Sequence, residues 1–418
     1  MVEKRKTSLI AVAGWILLAF QIVFFLFMLH TNGGNIINYF WHDSKDTAMD
    51  FFHSIEYVKT KRPYEQFGVV YPPLANLFFY AIYAVVAGGY PQETAQSFYE
   101  SICIRGTEAD LRLYQAPLLV FLMFLIACVS VMIFLLLERI KDGDYFAASL
   151  FSWGLVFSYG ILQCVERGNV LLLAFVFLLC FLLHYDSPNP IVREIATICL
   201  SLSFGLKLYP ALFGLLLLRD KRYGQAVRAG VYGIGTMVFP LFFFEEGLGG
   251  IKLWINTMVS FNGNNDLPEA GTGMKAILYS LQKWMQNSFG FYISDRYFFL
   301  VSIIVFFALV VSALVVKKKW SAILAISLAI ILVQSMGEYI YCLLVLPLYF
   351  LSVEEKCLSK HNWAPFVCLL LLNCHLPIIY SYKVSYPRAT VAHLLMIILT
   401  IYTINTAIKE GQHEKLEK

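Results

Sequence analysis

The chain has 418 residues, of which 59% are hydrophobic and only 14% are charged, whereas about a quarter of the residues in soluble domains are charged. This balance excludes a water-soluble core as the main structure, and the 16% of aromatic residues suits a lipid-facing surface with aromatic belts at its edges. The net charge of +4, without a long basic stripe, excludes a protein built to bind nucleic acid.

Apolar stretches long enough to cross a bilayer recur along the whole chain. The first begins at residue 8, after Lys4, Arg5 and Lys6, and is too long for the apolar core of a signal peptide. It therefore predicts a signal anchor with its basic end in the cytoplasm. The others begin near residues 71, 115, 146, 169, 195, 225, 298, 320, 337, 363 and 389. The pattern predicts an all-α polytopic membrane protein with roughly ten to twelve transmembrane helices.

The positive charges predict how these helices are oriented, because cytoplasmic loops carry an excess of Lys and Arg. If the N-terminus is inside and the crossings alternate, the cytoplasmic side receives Arg219–Arg222, Lys317–Lys319 and the Lys-rich C-terminus. Arg139 and Lys141 disagree with this map, since they would lie outside. The nine cysteines are odd in number, lack C-x-x-C spacing and fall mostly in apolar runs, which favours inert buried thiols. The absence of N-x-S/T sequons favours a bacterial cytoplasmic membrane.

Two long polar segments, 30–70 and 245–297, both fall on the outer side of this map. Loops of this length are uncommon unless they have a function. The second is rich in Asn and Gly, which predicts irregular backbone.

The first outer segment contains four polar residues at helical spacing, which therefore share one face of a helix: Asp46, Asp50, His53 and Tyr57. The opposite face carries Phe51, Phe52, Ile55 and Val58. We interpret this segment as an amphipathic helix in the outer membrane interface, with its acidic face toward a cavity or water. Two alternatives stay open: an ordinary solvated face, and a metal site that combines His53 with two carboxylates.

Three polar elements interrupt apolar sequence, where ionisable groups are costly and usually face a functional cavity. They are Glu166-Arg167-Gly168-Asn169, Lys207 within Leu206–Pro210, and Glu338 within Gln334–Tyr341. Each also has a simpler explanation. Arg167 can mark a cytoplasmic turn, Lys207 can extend its ammonium to the interface, and Glu338 can lie in an exposed loop.

In chain order, the motifs are Asp50, then Tyr57 or Tyr64, Tyr71-Pro72-Pro73-Leu74, Arg167-Gly168-Asn169, and Lys207-Leu208-Tyr209-Pro210. Together they resemble the polyprenyl-phosphate-sugar-dependent glycosyltransferases of the GT-C superfamily. The closest resemblance is to glycosyltransferase family 87, which includes bacterial α-mannosyltransferases. Near the outer end of a late helix this family often carries a His-containing element, where this chain has Ser335–Tyr339.

The resemblance implies a GT-C-like transmembrane module over residues 1–244, with a first outer loop at 30–70. A second outer loop follows at 245–297, and C-terminal transmembrane helices, in which the match thins, occupy 298–418. It also implies transfer of a hexose, mannose-like, from a polyprenyl-phosphate donor to a lipid or glycan acceptor at the outer face, by inverting displacement. No cofactor is expected, and a divalent metal is left open.

Such a reaction needs a carboxylate that takes the proton of the acceptor hydroxyl and a cation that stabilises the leaving phosphate. We expect Asp50 to be the catalytic base, with Asp43 and Asp46 as rivals in the same acidic stretch. The expected substrate-binding residues are Lys207, Tyr71, His53, Tyr57, Arg167, Asn169 and Glu338. For the phosphate we rank Lys207 first, then Arg296 or Lys275 of the second outer loop, and Arg167 last because the map places it near the inner face.

Two other functions would also fit a polytopic chain with buried charges. A secondary transporter or lipid flippase would not need two long outer loops and an acidic helix. A polysaccharide polymerase or ligase would use the same kind of lipid-linked donor. The chain has no Gly-rich phosphate loop and no cytoplasmic loop large enough for a nucleotide-binding domain, which favours a lipid-linked donor over a nucleotide sugar.

Overall fold

The computed structural model describes residues 8–30, 47–90, 107, 109–140, 145–263, 272–290, 292, 295–333, 337–355, 357–375 and 387–416. Within these ranges the regular secondary structure is entirely helical, so the predicted all-α polytopic fold is confirmed. The α-helices are α1 (Leu9–His30), α2 (Met49–Val58), α3 (Pro63–Phe67), α4 (Pro73–Val86), α5 (Gln115–Glu138), α6 (Tyr145–Val156), α7 (Tyr159–Arg167), α8 (Leu171–His184), α9 (Pro190–Leu206), α10 (Leu215–Arg219), α11 (Tyr223–Val238), α12 (Gly250–Gly263), α13 (Met274–Phe289), α14 (Asp295–Val315), α15 (Lys319–Val333), α16 (Val345–Glu354), α17 (Trp363–Asn373) and α18 (Pro387–Leu416). Three 3-10 segments extend α10, α11 and α16 at their N- or C-termini: Tyr209–Gly214, Phe239–Phe243 and Glu338–Leu344.

Five helical stretches in the described residues are each long and apolar enough to cross a bilayer as a single helix. They are Leu9–Phe27, Gln115–Glu138, Tyr223–Phe243, Arg296–Val315 and Val391–Gln412. The pair α6–α7 makes a sixth if it counts as one span bent by 47°. Shorter apolar helices pack among these, and almost every residue of α15 is buried by protein. The predicted number of ten to twelve crossings therefore depends on the shorter helices and stays a prediction.

Ion pairs gather several helix ends at one side of the bundle, which we call the basic end. Arg139, after α5, lies 3.5 Å from the Asp186 carboxylate after α8, and Lys319 at the start of α15 lies 3.4 Å from the same residue. Lys318 pairs with Glu355, after α16. Helices α1 and α6 start together near this end and run parallel, with the Trp15 and Phe146 rings 5.9 Å apart.

The opposite side of the bundle, the site end, joins the other helix ends. Arg112, just before α5, donates a hydrogen bond of 3.0 Å to the Thr47 carbonyl, just before α2. The backbone N–H of Glu245 donates to the Lys61 carbonyl across 3.0 Å, which connects the two predicted outer loops. Helix α5 therefore runs from the site end to the basic end, opposite to the direction that alternating crossings gave it.

Two segments account for this difference from the sequence map. The stretch at 71 does not cross, because α4 packs beside α2 and Tyr90, beyond its end, lies against the Lys59 ammonium, 4.5 Å from ring centroid to Nζ. The stretch at 195 runs between the two ends twice. Helix α9 leads from the basic end to Lys207 at the site end, and the 3-10 segment with α10 leads back to the basic end, where the Tyr185 hydroxyl donates a hydrogen bond to Asp220.

Between residues 115 and 222 each helix runs in the opposite direction to the one in the sequence map. Beyond residue 222 the two differences cancel, and the helix directions agree with the map again. Arg139 therefore lies at the basic end together with Lys318 and Lys319, and its disagreement with the other positive charges disappears. Arg167 lies at the site end beside Asp50, whereas the sequence map placed it on the same side as Lys318 and Lys319.

Helix α2 does not present an apolar face to lipid, as the predicted interfacial amphipathic helix would. All of its residues except Asp50 are buried by protein. Phe51 packs against the rings of Phe79, Phe121 and Phe124 of α4 and α5 at centroid distances of 5.0–5.6 Å. The helix begins at Met49, and Asp43 and Asp46 lie outside the described residues.

The second outer segment is not irregular throughout, contrary to the prediction from its Asn and Gly content. Helices α12 and α13 occupy much of it, and residues 264–271 between them lie outside the described structure. Trp254 of α12 donates a hydrogen bond of 3.1 Å to the Val70 carbonyl, and Glu246 accepts the backbone N–H groups of Tyr64 and Glu65. This segment therefore supports the backbone next to Tyr71.

Candidate active site

The site begins where α2 and α7 meet through two residues with left-handed backbone. Ala48 has φ of 59° and Gly168 has φ of +62°. The Ala48 N–H donates to the Glu166 carbonyl across 2.6 Å. A Cβ on Gly168 would lie 2.9 Å from the Ala48 carbonyl oxygen and from Phe51 Cβ. Glycine is required there both for the backbone conformation and for the close approach.

This contact places the residues on either side of Gly168 against the Asp50 carboxylate. Arg167 Nη2 donates to Oδ1 across 2.6 Å, and Asn169 Nδ2 donates to Oδ2 across 2.7 Å. The side-chain Oδ1 of Asn169 accepts the Leu171 N–H across 2.9 Å, which fixes the orientation of the side-chain amide. The side chain of Asp50 is 20% exposed and that of Arg167 is 29% exposed, so the pair is reachable from outside.

Lys207 lies where α9 ends, and its ammonium faces aromatic rings. Its Nζ lies 4.2 Å from the centroid of Tyr71 and 5.9 Å from that of Tyr339. The residue is 9% exposed, and no ion pair joins it to a carboxylate in the part of the chain that the structure describes. The Tyr71 hydroxyl lies 3.5 Å from Asn169 Nδ2, so Tyr71 contacts both Lys207 and a side chain that binds the Asp50 carboxylate.

Glu338 and Tyr339 approach from the C-terminal half of the chain. The Tyr159 hydroxyl at the start of α7 donates a hydrogen bond to Glu338 Oε2, and the Cys164 thiol lies 3.3 Å from the Tyr339 carbonyl. The site thus combines residues from both ends of the sequence.

His53 and Tyr57 lie further along α2 than Asp50, and both are buried. Their rings are 5.8 Å apart, and Tyr57 packs on Phe67 at 5.2 Å. Tyr57 belongs to a hydrophobic cluster against which Tyr71 packs, so it lies close to the site. Among the described residues no group of three or more His, Cys, Asp or Glu side chains could hold a metal, so the metal alternative at His53 gains no support.

A family model, "Glycosyltransferase family 87", matches residues 69–347, well over half of the chain. The chain belongs to glycosyltransferase family 87. No curated protein and no solved structure matches it. The matched residues include Tyr71, Arg167, Asn169, Lys207 and Glu338, whereas Asp50 precedes them.

This family 87 protein is a multi-pass membrane glycosyltransferase. Its site brings together Asp50, Tyr71, Arg167, Asn169 and Lys207, all predicted from the sequence. Lys275 and Arg296, predicted as further phosphate ligands, have exposed side chains, and neither forms a hydrogen bond or ion pair with these residues in the described structure.

Two residues of the site, Tyr159 and Tyr339, were not predicted from the sequence. Tyr159 has no polar neighbours in the sequence that would separate it from a packing tyrosine. Tyr339 was part of the polar run around Glu338, and only the packing of α7 against the 3-10 segment brings its ring to Lys207.

The geometry gives a family 87 enzyme the two elements that glycosyl transfer requires. The carboxylate can take a proton from an acceptor hydroxyl, and the buried ammonium can stabilise an anion. The two charges do not pair with each other, because Asp50 already has Arg167 and Asn169 as partners.

Proposed function

We propose that this enzyme transfers a hexose, with mannose as the first candidate, from a polyprenyl-phosphate donor to a lipid or glycan acceptor. The observation that carries the proposal is the buried ammonium of Lys207, which has aromatic faces but no carboxylate at ion-pair distance in the described structure. A buried charge is costly unless it is paired. A ligand phosphate would supply the missing negative charge.

In the proposed reaction Asp50 accepts the proton of the acceptor hydroxyl while that oxygen forms a bond to the anomeric carbon of the donor sugar. The bond from this carbon to the phosphate oxygen breaks on the opposite face, which inverts the configuration. The leaving polyprenyl phosphate keeps the electron pair, and Lys207 stabilises its charge. Tyr71 packs its ring on the ammonium, while Arg167 and Asn169 bind the carboxylate, so that each charge has a different protein environment.

We further propose that the site end faces away from the cytoplasm of a bacterium. The support is the concentration of positive charges at the opposite end, where Arg139, Lys318 and Lys319 lie together. A lipid-linked sugar would be presented at the outer face, where nucleotide sugars are absent. His53 and Tyr57 would contribute to the wall of the acceptor site beside Asp50.

The test is transfer of radiolabelled mannose from polyprenyl-phosphate mannose in proteoliposomes that contain the purified enzyme. We expect a lipid-extractable labelled product with the wild type and almost none with Asp50→Asn reconstituted in equal amount. A lipid extract from a bacterial membrane supplies the acceptor. Transfer from a nucleotide sugar but not from the polyprenyl-phosphate donor would contradict the proposal.

A further inference from the structure

A second carboxylate, Glu338, lies at the start of the 3-10 segment that packs along α7. Its side chain is half-buried, and the Tyr159 hydroxyl donates to its Oε2. Tyr159 is completely buried, so its hydroxyl cannot turn toward water. The bond therefore fixes the direction of the Glu338 carboxylate.

The backbone that carries Glu338 is held tightly against α7. A Cβ on Gly160 would lie 2.3 Å from the Cys342 nitrogen, so the two backbones are in direct contact. One short helix consequently orients both carboxylates: α7 holds Glu338 through Tyr159 at its start and Asp50 through Arg167 at its end.

Glu338 is also next in sequence to a residue that faces the proposed phosphate site. The Tyr339 ring lies 5.9 Å from Lys207 Nζ, and the Tyr71 ring lies 4.2 Å from it. A donor with its phosphate on Lys207 would bring its sugar close to Tyr339 and Glu338. A carboxylate accepts hydrogen bonds through both of its oxygens, so Glu338 suits the recognition of sugar hydroxyls.

We propose that Glu338 binds hydroxyl groups of the donor sugar and restricts the enzyme to uncharged sugars, with Tyr159 as its positioning residue. This inference rests on the proposed polyprenyl-phosphate donor. A neutral hexose gives the carboxylate charge-assisted hydrogen bonds. A uronic acid would place a second carboxylate beside it and be rejected by repulsion.

The test compares polyprenyl-phosphate mannose with its 2-, 3-, 4- and 6-deoxy derivatives and with the corresponding mannuronic acid donor, in proteoliposomes. For the wild type, removal of the hydroxyl that Glu338 binds should lower kcat/KM roughly 10–100-fold. In Glu338→Gln that penalty should shrink to a few-fold, and the mannuronic acid donor should improve relative to mannose. Tyr159→Phe should weaken the same discrimination partly, because the carboxylate remains but loses its fixed direction.

Glu338 could instead have a purely structural role and stabilise the packing of the 3-10 segment against α7. In that case Glu338→Gln would lower stability or kcat for every donor equally, with the deoxy penalties unchanged, and this result would overturn the inference alone. A wild type that uses none of the polyprenyl-phosphate donors would overturn the proposed function, and the inference with it.

Discussion

Arg167 and Asp50 are 117 positions apart in the sequence, yet Arg167 Nη2 donates to Asp50 Oδ1 across 2.6 Å. This pair explains how the Asp50 carboxylate and the Lys207 ammonium can lie in one site without forming an ion pair with each other. Without Arg167 and Asn169, Lys207 would be an attractive partner for Asp50, since opposite charges in a poorly solvated site attract strongly. Because both oxygens of Asp50 have other donors, Lys207 keeps its charge for a ligand.

The first prediction concerns Asp50 as the base. Asp50→Asn keeps the shape of the side chain but removes its charge and basicity, so turnover should fall by ~10²–10⁴-fold with donor binding nearly intact. Mannose transfer and donor KM in proteoliposomes measure both effects. Asp46→Asn is the matched control and should change turnover much less. If Asp46→Asn inactivates the enzyme and Asp50→Asn does not, the base is assigned to the wrong residue.

The sequence predicted most residues of this site, but not Tyr159 and Tyr339, and not the contacts among the residues. Arg167, Asn169 and Lys207 stood out because polar groups in apolar sequence are costly, and Asp50 because it shares a helix face with His53 and Tyr57. Their pairing depends on the contact between Ala48 and Gly168, which joins two distant segments and has no local signal.

The helix directions predicted between residues 115 and 222 differ from the structure for a related reason. Hydropathy measures apolar length, and α4 is apolar enough to pass for a span although it folds back beside α2. The turn at Lys207 was hidden because the apolar stretch continues on both sides of it. The two errors have opposite effects on the helix directions. The sides of the bundle predicted for the N- and C-terminal parts of the chain are therefore unaffected, and only the residues between the two errors were placed on the wrong side.

The second prediction concerns Lys207 as the phosphate ligand. Lys207→Met should fold and insert normally, while transfer loses ~2–4 kcal/mol of transition-state stabilisation, the usual effect of removing one preorganised charge partner. The matched control is Lys319→Met. Lys319 also packs on aromatic rings, at 4.3 Å from Tyr185, but it lies at the basic end and pairs with Asp186.

Transfer rates per folded molecule and thermal unfolding separate the two lysines. Lys319→Met should lower stability with the rate unchanged. A wild-type rate in Lys207→Met would mean that its ammonium serves no anion.

The third prediction concerns Gly168. An alanine there would need a left-handed backbone and would place Cβ 2.9 Å from the Ala48 oxygen and from Phe51 Cβ, so Arg167 and Asn169 should shift away from Asp50. Displacement of such groups by about 1 Å costs about 10²-fold in rate, and we expect a loss of that size in transfer. Overpacking of this kind should also lower stability by about 1–3 kcal/mol.

Gly230→Ala in the middle of α11 provides the control, since nothing lies within 4 Å of the added Cβ. It should leave transfer unchanged and keep or raise stability, because alanine favours helix more than glycine does. Equal transfer by Gly168→Ala and the wild type would show that the contact between α2 and α7 does not position the site.

The last prediction concerns the orientation of the bundle, and it tests the structure against the sequence map. Single cysteines at exposed positions of a cysteine-free variant can be labelled in intact cells with a membrane-impermeant thiol reagent. The three positions are Lys252 at the site end and Arg139 and Lys317 at the basic end, whose side chains are all exposed. Trp320 is unsuitable because it is only 2% exposed.

Lys252→Cys should react in intact cells, whereas Arg139→Cys and Lys317→Cys should react only after permeabilisation, since positive charges are retained in the cytoplasm. Arg139 is the decisive position. If it reacts in intact cells while Lys317→Cys does not, then the stretch at 71 crosses the membrane and Arg167 returns to the inner face. Asp50 and Arg167 would then lie on opposite sides of the bilayer and could not form the pair on which the proposed site depends.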